Sequence, residues 1–336
     1  MFIGLTYVLL MTQNHFYKSC ELLEHGICFY NWALASCCYM PQTNVATTTY
    51  IQPYYYGEKI NIDLLHSQIK RWRENAKQGK YLKQCVGCCK LEEKNWDDEF
   101  YINQVYITHF ENCNLNCIYC INDTPLENRS SSPYKIIPVL DDLKEKNILK
   151  QNCEFHIGGG EFTIYPECDE IIEKYVLTGF VKRLCVATNG IRYSENLYKA
   201  MDIDRACIII SVDCGSSKLF KKIKGVDCFD KLKESLEKYT RSEKSKQNTF
   251  LKYIVLPKIN DNKNEFKKFL NLANEYSIKG IKIDVEGRYC RNCNYKIDKK
   301  LSEFIKWSEN YAKDNGFDVE LFSFVNQMNE QKEWCL

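Results

Sequence analysis

The chain has no excess of either charge. Lysine and arginine total 46, and aspartate and glutamate total 44, which gives a formal net charge of +2 over 336 residues. General nucleic-acid binders carry a clear positive excess, so this balance argues against nucleic acid as a partner. The sequence also lacks internal repeats and long low-complexity linkers, and its length predicts one large domain with a smaller one.

Long hydrophobic runs are scarce as well. Residues 2–10 are apolar, but this stretch is too short to cross a bilayer as a helix. It has neither a basic flank nor a small-residue cleavage site, so it does not predict a signal peptide. Met11 follows directly and is a second candidate for the native start. We therefore expect no association with a membrane.

Cysteine, by contrast, is abundant, with 19 residues. In a secreted protein this number would suggest disulfides, but here many cysteines stand in short, metal-like spacings. That grouping predicts reduced thiols and a cytoplasmic protein. The most informative group is Cys113, Cys117 and Cys120, which follow a strand-like run at 104–110.

Three thiolates on one loop can hold a [4Fe–4S] cluster and leave one iron without a protein ligand. Clusters that only carry electrons or support structure normally take four thiolates. The missing fourth ligand therefore predicts chemistry at an open iron. The alternative is a zinc site, which needs a fourth Cys or His at tetrahedral distance.

Polar residues follow the next strand-like segments along the chain. Residues 153–157 lead into Gly159, Gly160 and Glu161, residues 182–188 lead into Asn189, and the run at 207–213 contains Ser211 and Asp213. Glycines allow the backbone to approach a ligand closely, and a carboxylate complements an ammonium group. The alternative is that these are ordinary turns and helix caps.

The spacing of the three cysteines, with Tyr119 before the last one, resembles the radical S-adenosylmethionine superfamily. The later Gly-Gly-Glu, Thr-Asn-Gly and Ser-Val-Asp segments occur in the order of that family. The resemblance implies that the open iron chelates the methionyl part of S-adenosylmethionine, and that reductive cleavage gives a 5′-deoxyadenosyl radical. It implies cofactor contacts at Tyr119, Gly159, Gly160, Glu161, Asn189, Ser211 and Asp213, with Glu161 beside the methionyl amino group. The family's proline after this Glu is replaced by Phe162.

Strand-like and helix-like segments alternate from residue 104 to about residue 315. Helical spacing of apolar residues occurs at 134–145, 169–175, 194–201, 229–239 and 265–276, and strands at 249–256 and 279–285 complete the series. This alternation is typical of parallel βαβ units. We predict an α/β fold with a partial (β/α)6 TIM-like barrel over residues 100–336, and a site at the carboxyl ends of its strands.

Residues 1–99 are predicted to form a separate cysteine-rich unit. Its predicted elements are a hairpin at 26–37 turning near Asn31, an amphipathic helix at 60–75 and a closing CxxC formed by Cys85 and Cys88. This order resembles the first half of a SPASM-type auxiliary domain. The resemblance implies a second [4Fe–4S] cluster bound by Cys20, Cys37, Cys85 and Cys88. Cys28, Cys38 and Cys89 remain alternative ligands, and a four-cysteine zinc knuckle remains the alternative site. The segment departs from the family by preceding the barrel and by lacking a turn glycine.

Other motifs carry less information. Cys290 and Cys293 form another CxxC, which Cys335 would help to complete as a further site. The cysteines predicted to be small buried apolar residues are Cys153, Cys168, Cys185, Cys207, Cys214 and Cys228. The basic run at 218–224 predicts a solvated helix face, or alternatively a contact for an acidic peptide or phosphate.

Three functions are consistent with the sequence. The first is a radical S-adenosylmethionine enzyme that modifies a peptide or protein side chain, with a flavodoxin or ferredoxin as reductant. The second is the same chemistry on a sugar or nucleotide-linked small molecule, and the third is a non-enzymatic zinc or iron–sulfur protein. The cofactor-type motifs count against the third. Arg288 and Tyr289 are expected near the substrate pocket from their position after the sixth strand.

Overall fold

The computed structural model describes residues 16–31, 33–36, 50–53, 61–81, 85, 88, 90–120, 134–286 and 299–321. Several sequence predictions lie outside the described residues, namely those for residues 2–10, Met11, Cys37, Cys38, Cys89, Arg288, Tyr289, Cys290, Cys293 and Cys335.

Strands and helices alternate along most of the described chain. The strands are β1 (Phe16–Ser19), β2 (Gly26–Phe29), β3 (Ala33–Ala35), β4 (Tyr50–Pro53), β5 (Glu92–Asn95), β6 (Ile102–Ile107), β7 (Leu149–Ile157), β8 (Val181–Thr188), β9 (Ala206–Ser211), β10 (Thr249–Val255), β11 (Gly280–Val285) and β12 (Asp318–Leu321). The helices are α1 (Glu21–His25), α2 (Ile62–Lys77), α3 (Ile137–Glu145), α4 (Cys168–Ile171), α5 (Glu195–Asp202), α6 (Ser217–Lys224), α7 (Phe229–Tyr239), α8 (Glu243–Gln247), α9 (Lys263–Glu275) and α10 (Lys299–Asp314).

One large sheet organises the fold, in the order β12-β11-β10-β9-β8-β7-β6-β2-β3-β4. Strands β6 to β12 are neighbours in chain order and pair in parallel. The predicted α/β fold is therefore confirmed, and β6 to β11 match the six expected strands. Strand β12 is a further parallel strand that the sequence did not predict. The predicted helix at 169–175 is present as α4 and a π-helical turn, Ile172–Leu177.

The strands follow one another in one direction across the sheet. Because parallel crossovers are right-handed in almost all proteins, we expect the linking helices on one face of the sheet. Side chains that point toward the helices are buried completely, as in Ile208 and Ile210 of β9. On β10, the Tyr253 ring packs against Phe269 of α9 with 5.0 Å between centroids. Alternate residues of each strand point the other way, toward what we call the inner face, which is the inside expected of a partial barrel.

The N-terminal segment joins the same sheet. Strand β2 pairs in parallel with β6, and β2 and β3 form the predicted hairpin, with Cys28 opposite Ala35. The predicted amphipathic helix is confirmed as α2, whose Arg73 forms a buried ion pair of 2.7 Å with Glu24 of α1. Strands β1 and β5 make a separate two-stranded sheet. The division of the chain near residue 99 stays a prediction.

No helix in the described part of the chain is long and apolar enough to span a membrane.

Candidate active site

The predicted site residues converge on one edge of the sheet. The loop with Cys113, Cys117 and Cys120, which we call the cysteine loop, follows β6, and Gly159–Glu161 follows β7. Asn189 follows β8 and Asp213 follows β9. All four strands are parallel, so their carboxyl ends lie side by side at the edge where ligands bind in such folds.

The glycine turn after β7 supports one side of the cysteine loop. The amide of Gly160 donates to the Phe110 carbonyl at 2.8 Å, and the amide of Glu161 donates to the Asn112 carbonyl at 2.8 Å. A Cβ at Gly160 would lie 2.2 Å from that Asn112 oxygen, and Gly159 has a φ of +97°. Glycine is therefore required here so that the turn can approach the loop, a reason that differs from the expected approach to a ligand.

The end of helix α6 supports the other side. The amides of Asn116 and Ile118 donate to the carbonyls of Lys224 and Ile223, at 3.0 and 2.9 Å. Gly225 ends the helix in the left-handed region, with φ of +73°, and a Cβ there would lie 2.5 Å from the Asn116 oxygen. The cysteine loop is thus held between two glycine-dependent backbone contacts.

A buried ionic network joins α6 to the same loop. The Lys224 ammonium contacts the Asp213 carboxylate and donates to the Tyr119 hydroxyl at 2.7 Å. The Tyr119 hydroxyl in turn donates to Asp213 at 2.5 Å. Lys224 is only 1% exposed and Asp213 is fully buried. The predicted solvated helix face is therefore wrong for Lys224, although Lys221 in the same run is exposed and pairs with Asp227.

The charges in this network shift each other's titration. Burial opposes the charged form of Lys224, but the Asp213 carboxylate raises the pKa of its ammonium above the ordinary value. Burial also raises the pKa of the Cys117 thiol to about 11, and Lys224 is the strongest influence in the opposite direction. Lys224 therefore supplies positive charge beside a site that would gather thiolates.

Glu161 connects the ends of β7 and β8. Its carboxylate accepts from the amide and hydroxyl of Thr163 at 3.0 and 2.7 Å, from the Thr188 hydroxyl at 2.7 Å, and from the Asn189 amide at 2.7 Å. Three of these donors reach Oε1 and one reaches Oε2, so these contacts do not occupy every acceptor position on Oε2. These contacts make Glu161 a positioning residue for Asn189, and its expected contact with a ligand ammonium stays a prediction.

Asn189 reaches the cysteine loop directly. Its side-chain amide donates to the Asn114 side-chain oxygen at 2.6 Å and to the Cys113 sulfur at 3.7 Å. A donor on a thiolate sulfur stabilises its negative charge, and hydrogen bonds to sulfur are one means by which proteins tune iron–sulfur clusters. Ser211 ends β9 on the inner face, in register with Lys252 of β10.

The three loop thiols supply the donor set of the predicted cluster site. Cys117 interacts electrostatically with both Cys113 and Cys120, so the three lie near one another. Among the described residues, however, no three His, Cys, Asp or Glu side chains converge closely enough to hold one metal ion. The donor set, three soft thiolates with a cation and an amide donor beside them, suits an iron–sulfur cluster.

Three N-terminal cysteines also lie together. Burial raises the pKa of Cys20 to about 12 and that of Cys85 to about 11, and Cys20 interacts electrostatically with Cys85 and Cys88. Cys28 packs elsewhere, with Tyr30 and Ala35. Between the two alternatives for the first ligand, the geometry favours Cys20.

A second buried network underlies the cysteine loop, and sequence reasoning did not identify it. His109 is fully buried, and its Nε2 lies 3.0 Å from the Tyr165 hydroxyl, which donates to Glu167. Glu167 accepts the amides of Ile136 and Ile137 at the start of α3, at 2.8 and 3.2 Å. Burial lowers the pKa of His109 to about 3, so its ring is neutral. Neither this network nor the partner of Lys224 has a local signal in the sequence.

The part of the chain that carries the candidate site is similar to known proteins. Residues 107–273 match the family described as the Radical SAM superfamily. GTP 3′,8-cyclase of Haemophilus influenzae strain PittEE is 24% identical over 174 residues, which are 51% of this chain and 49% of that protein. A probable GTP 3′,8-cyclase of Pyrococcus abyssi is 31% identical over 144 residues, which are 42% and 44% of the two chains. The chain spans about half the length of the curated relatives it matches.

Among solved structures, Streptococcus suis SuiB bound to its precursor peptide SuiA has a similar fold. The TM-score is 0.51 at 13% identity, over 79% of this chain and 65% of that chain. At this identity the likeness concerns the fold alone.

Proposed function

Because residues 107–273 form a radical SAM superfamily domain, we propose that this chain is a radical S-adenosylmethionine enzyme. Cys113, Cys117 and Cys120 bind its [4Fe–4S] cluster, and the cofactor binds at the iron that they leave open. The observation that carries the proposal is the cysteine loop, fixed on both sides at the carboxyl edge of a parallel sheet. A non-enzymatic metal scaffold would not need this convergence of polar strand-end residues.

When bound, the cluster and cofactor supply a 5′-deoxyadenosyl radical, which removes a hydrogen atom from an unactivated carbon. The residues of this chain compensate charge at the site and position the cysteine loop. Lys224 compensates negative charge next to Cys117, and Asn189 donates to the Cys113 sulfur. Glu161 fixes Asn189 through its amide, and the Asp213–Tyr119 contact fixes the segment between the last two cysteines.

The test is anaerobic incubation of the iron-reconstituted chain with S-adenosylmethionine and dithionite. We expect 5′-deoxyadenosine, measured by liquid chromatography and mass spectrometry, above the level given by cluster and dithionite without protein. A reconstituted protein that holds about four irons per loop but yields no 5′-deoxyadenosine would contradict the assignment.

We propose a peptide or protein side chain as the substrate. Two lysines on the inner face are already paired with carboxylates, Lys252 with Asp284 at 2.8 Å and Lys282 with Glu320. A nucleoside triphosphate would require several uncompensated cations, and these described inner-face lysines do not offer them. The resemblance to SPASM-type enzymes also favours a peptide.

The curated relatives favour a second candidate, a nucleotide or related small molecule, because the two named above are a GTP 3′,8-cyclase and a probable GTP 3′,8-cyclase. Isotope transfer separates the two candidates. GTP deuterated on its ribose should give unlabelled 5′-deoxyadenosine if the substrate is a peptide, and deuterated 5′-deoxyadenosine if it is GTP. A peptide digest from cells grown in deuterated medium should give deuterated 5′-deoxyadenosine if the substrate is a peptide, and unlabelled 5′-deoxyadenosine if it is GTP.

We further propose that Cys20, Cys85 and Cys88 bind an auxiliary [4Fe–4S] cluster with Cys37, in a cytoplasmic enzyme reduced by flavodoxin or ferredoxin. The proximity of the three described cysteines supports this proposal. A Cys113/Cys117/Cys120 triple alanine variant should then retain about four irons and a [4Fe–4S] spectrum. Zinc in place of iron in the anaerobically purified protein would contradict the auxiliary cluster and leave the first proposal standing.

A further inference from the structure

We propose that Cys185 and Cys207 form a redox-active dithiol on the inner face of the sheet, which closes to a disulfide between β8 and β9. The sequence predicted both as small buried apolar residues, and none of the roles proposed above uses them.

The register of the sheet places the two residues side by side. Cys185 of β8 is the direct partner of Cys207 of β9 in this parallel pair. Their strand neighbours Leu184, Val186 and Ile208 are fully buried toward the helices, so both thiols point to the inner face. Adjacent strands lie about 4.8 Å apart. Disulfides usually join residues whose Cα atoms are about 4.4–6.8 Å apart, so the pair lies within this range.

The surroundings of the pair favour a thiolate. A hydrogen bond from the Cys185 thiol lowers the pKa of Cys207 to about 6, and Arg183 acts in the same direction while burial opposes it. Lys282 of β11 adds a further positive influence. The pKa of the Cys185 thiol is raised correspondingly, chiefly by the same hydrogen bond. One thiol of the pair is therefore poised as a nucleophile, and the other remains protonated, as dithiol exchange requires.

This environment differs from that of the other strand cysteine beside it. Cys153 of β7 is fully buried on the helix side, and burial raises its pKa to about 12. The inner-face row at the level of the pair holds instead His156 of β7 and Tyr106 of β6, whose rings stack at 4.4 Å. The dithiol therefore lies on the inner face, in the same row as these two rings.

The proposed oxidation uses a small-molecule disulfide such as oxidised glutathione. The Cys207 thiolate attacks one sulfur of that disulfide, forms a mixed disulfide and releases one glutathione thiolate. The Cys185 thiol then loses its proton, its sulfur attacks the Cys207 sulfur, and the second glutathione thiolate leaves. Two protein thiols are oxidised and one glutathione disulfide is reduced, so electrons and protons balance.

The experiment is a redox titration of the full chain in buffers of reduced and oxidised glutathione. Each sample is quenched with acid, alkylated and digested, and the linked peptides are identified by mass spectrometry. We expect a species that links Cys185 to Cys207, whose amount follows the glutathione ratio through a single transition and returns to zero with dithiothreitol. Absence of this species at every ratio in protein that remains folded by circular dichroism would overturn the proposal.

Variants separate a reactive pair from a pair that is merely close. The alkylation rate of Cys207 should be half-maximal at a pH below the ordinary thiol pKa in the native chain. In Cys185→Ala, which removes the donor to Cys207, this half-maximal pH should rise, and Cys153→Ala, the matched control, should leave it unchanged. A Cys207 that alkylates no faster than Cys153 at neutral pH would also overturn the proposal. None of these measurements needs the cluster or S-adenosylmethionine, so their outcome is independent of the proposed enzymatic function.

Discussion

Replacing Lys224 by methionine should destabilise the protein by about 3–5 kcal/mol, the usual cost of breaking a buried ion pair on one side. Methionine keeps most of the apolar stem but removes the ammonium, while Asp213 stays fully buried. Among the described residues, the carboxylate then keeps two donors, the Tyr119 hydroxyl at 2.5 Å and the Ile254 amide at 2.7 Å. Two neutral donors compensate part of the lost charge, so we expect a value near the lower end of that range.

The assay is urea unfolding followed by circular dichroism, with Lys221→Met as the matched control on the same helix. Lys221 and its partner Asp227 are each 61% exposed, so this substitution should change the free energy of unfolding by less than about 0.5 kcal/mol. The double variant Lys224→Met with Asp213→Asn should regain most of the stability, since it leaves no uncompensated charge. A loss below about 1 kcal/mol in Lys224→Met would refute the argument that this pair is a buried, coupled unit.

Three further predictions follow from the same contacts. Gly160→Ala should lower the iron content of the cysteine loop, because its Cβ would lie 2.2 Å from the Asn112 carbonyl oxygen. A Cβ at Gly158 would meet nothing within 4 Å, so the control variant Gly158→Ala should bind iron normally. Glu161→Gln should weaken S-adenosylmethionine binding roughly tenfold by equilibrium dialysis, with iron content near normal, since a lost charged hydrogen bond costs about 1.5–3 kcal/mol. His109→Phe should make the free energy of unfolding less dependent on pH below 6.5. The pKa of the native histidine is lowered to about 3, so between these values only the unfolded chain takes up the proton. At pH 4.5 this linkage lowers the free energy of unfolding of the native chain by about 3 kcal/mol.

Each of these has a clear contrary outcome. Equal iron in the two glycine variants would mean that the close approach at Gly160 relaxes without effect on the loop. An unchanged affinity of Glu161→Gln for S-adenosylmethionine would mean that the turn after β7 supports the fold and does not bind the cofactor. For the histidine, the sign is decisive. A group with a lowered basic pKa destabilises the fold as pH falls, so a wild-type protein that gains stability between pH 6.5 and 4.5 relative to His109→Phe would contradict the burial argument.

Much of the fold could be predicted because its signals are local. The apolar runs of β6 to β11 and the amphipathic spacing of helices such as α5, α7 and α9 appear directly in the sequence. Pairings between distant segments do not. The parallel pairing of β2 with β6 joins residues 26–29 to 104–107, and no local pattern shows that these strands meet.

In the candidate site, too, local features could be predicted from the sequence and contacts between distant segments could not. Residue spacing identified the cysteine loop and the strand-end residues, because close neighbours in the chain carry that signal. It placed Lys224 on a solvated face, since a basic run at helical spacing is usually exposed. The chain folds this lysine back onto Asp213, whose backbone takes a left-handed φ of 66° as it leaves β9. Likewise, the glycines after β7 were correctly singled out, but the surface that they approach is the loop itself.

The most direct test of the central claim compares the native chain with the variant in which Cys113, Cys117 and Cys120 are all alanine. Both are reconstituted anaerobically and incubated with S-adenosylmethionine and dithionite, and 5′-deoxyadenosine is measured per protein. We predict product from the native chain, none above background from the variant, and a loss of about four irons in the variant. Equal amounts of 5′-deoxyadenosine from the two proteins would contradict it.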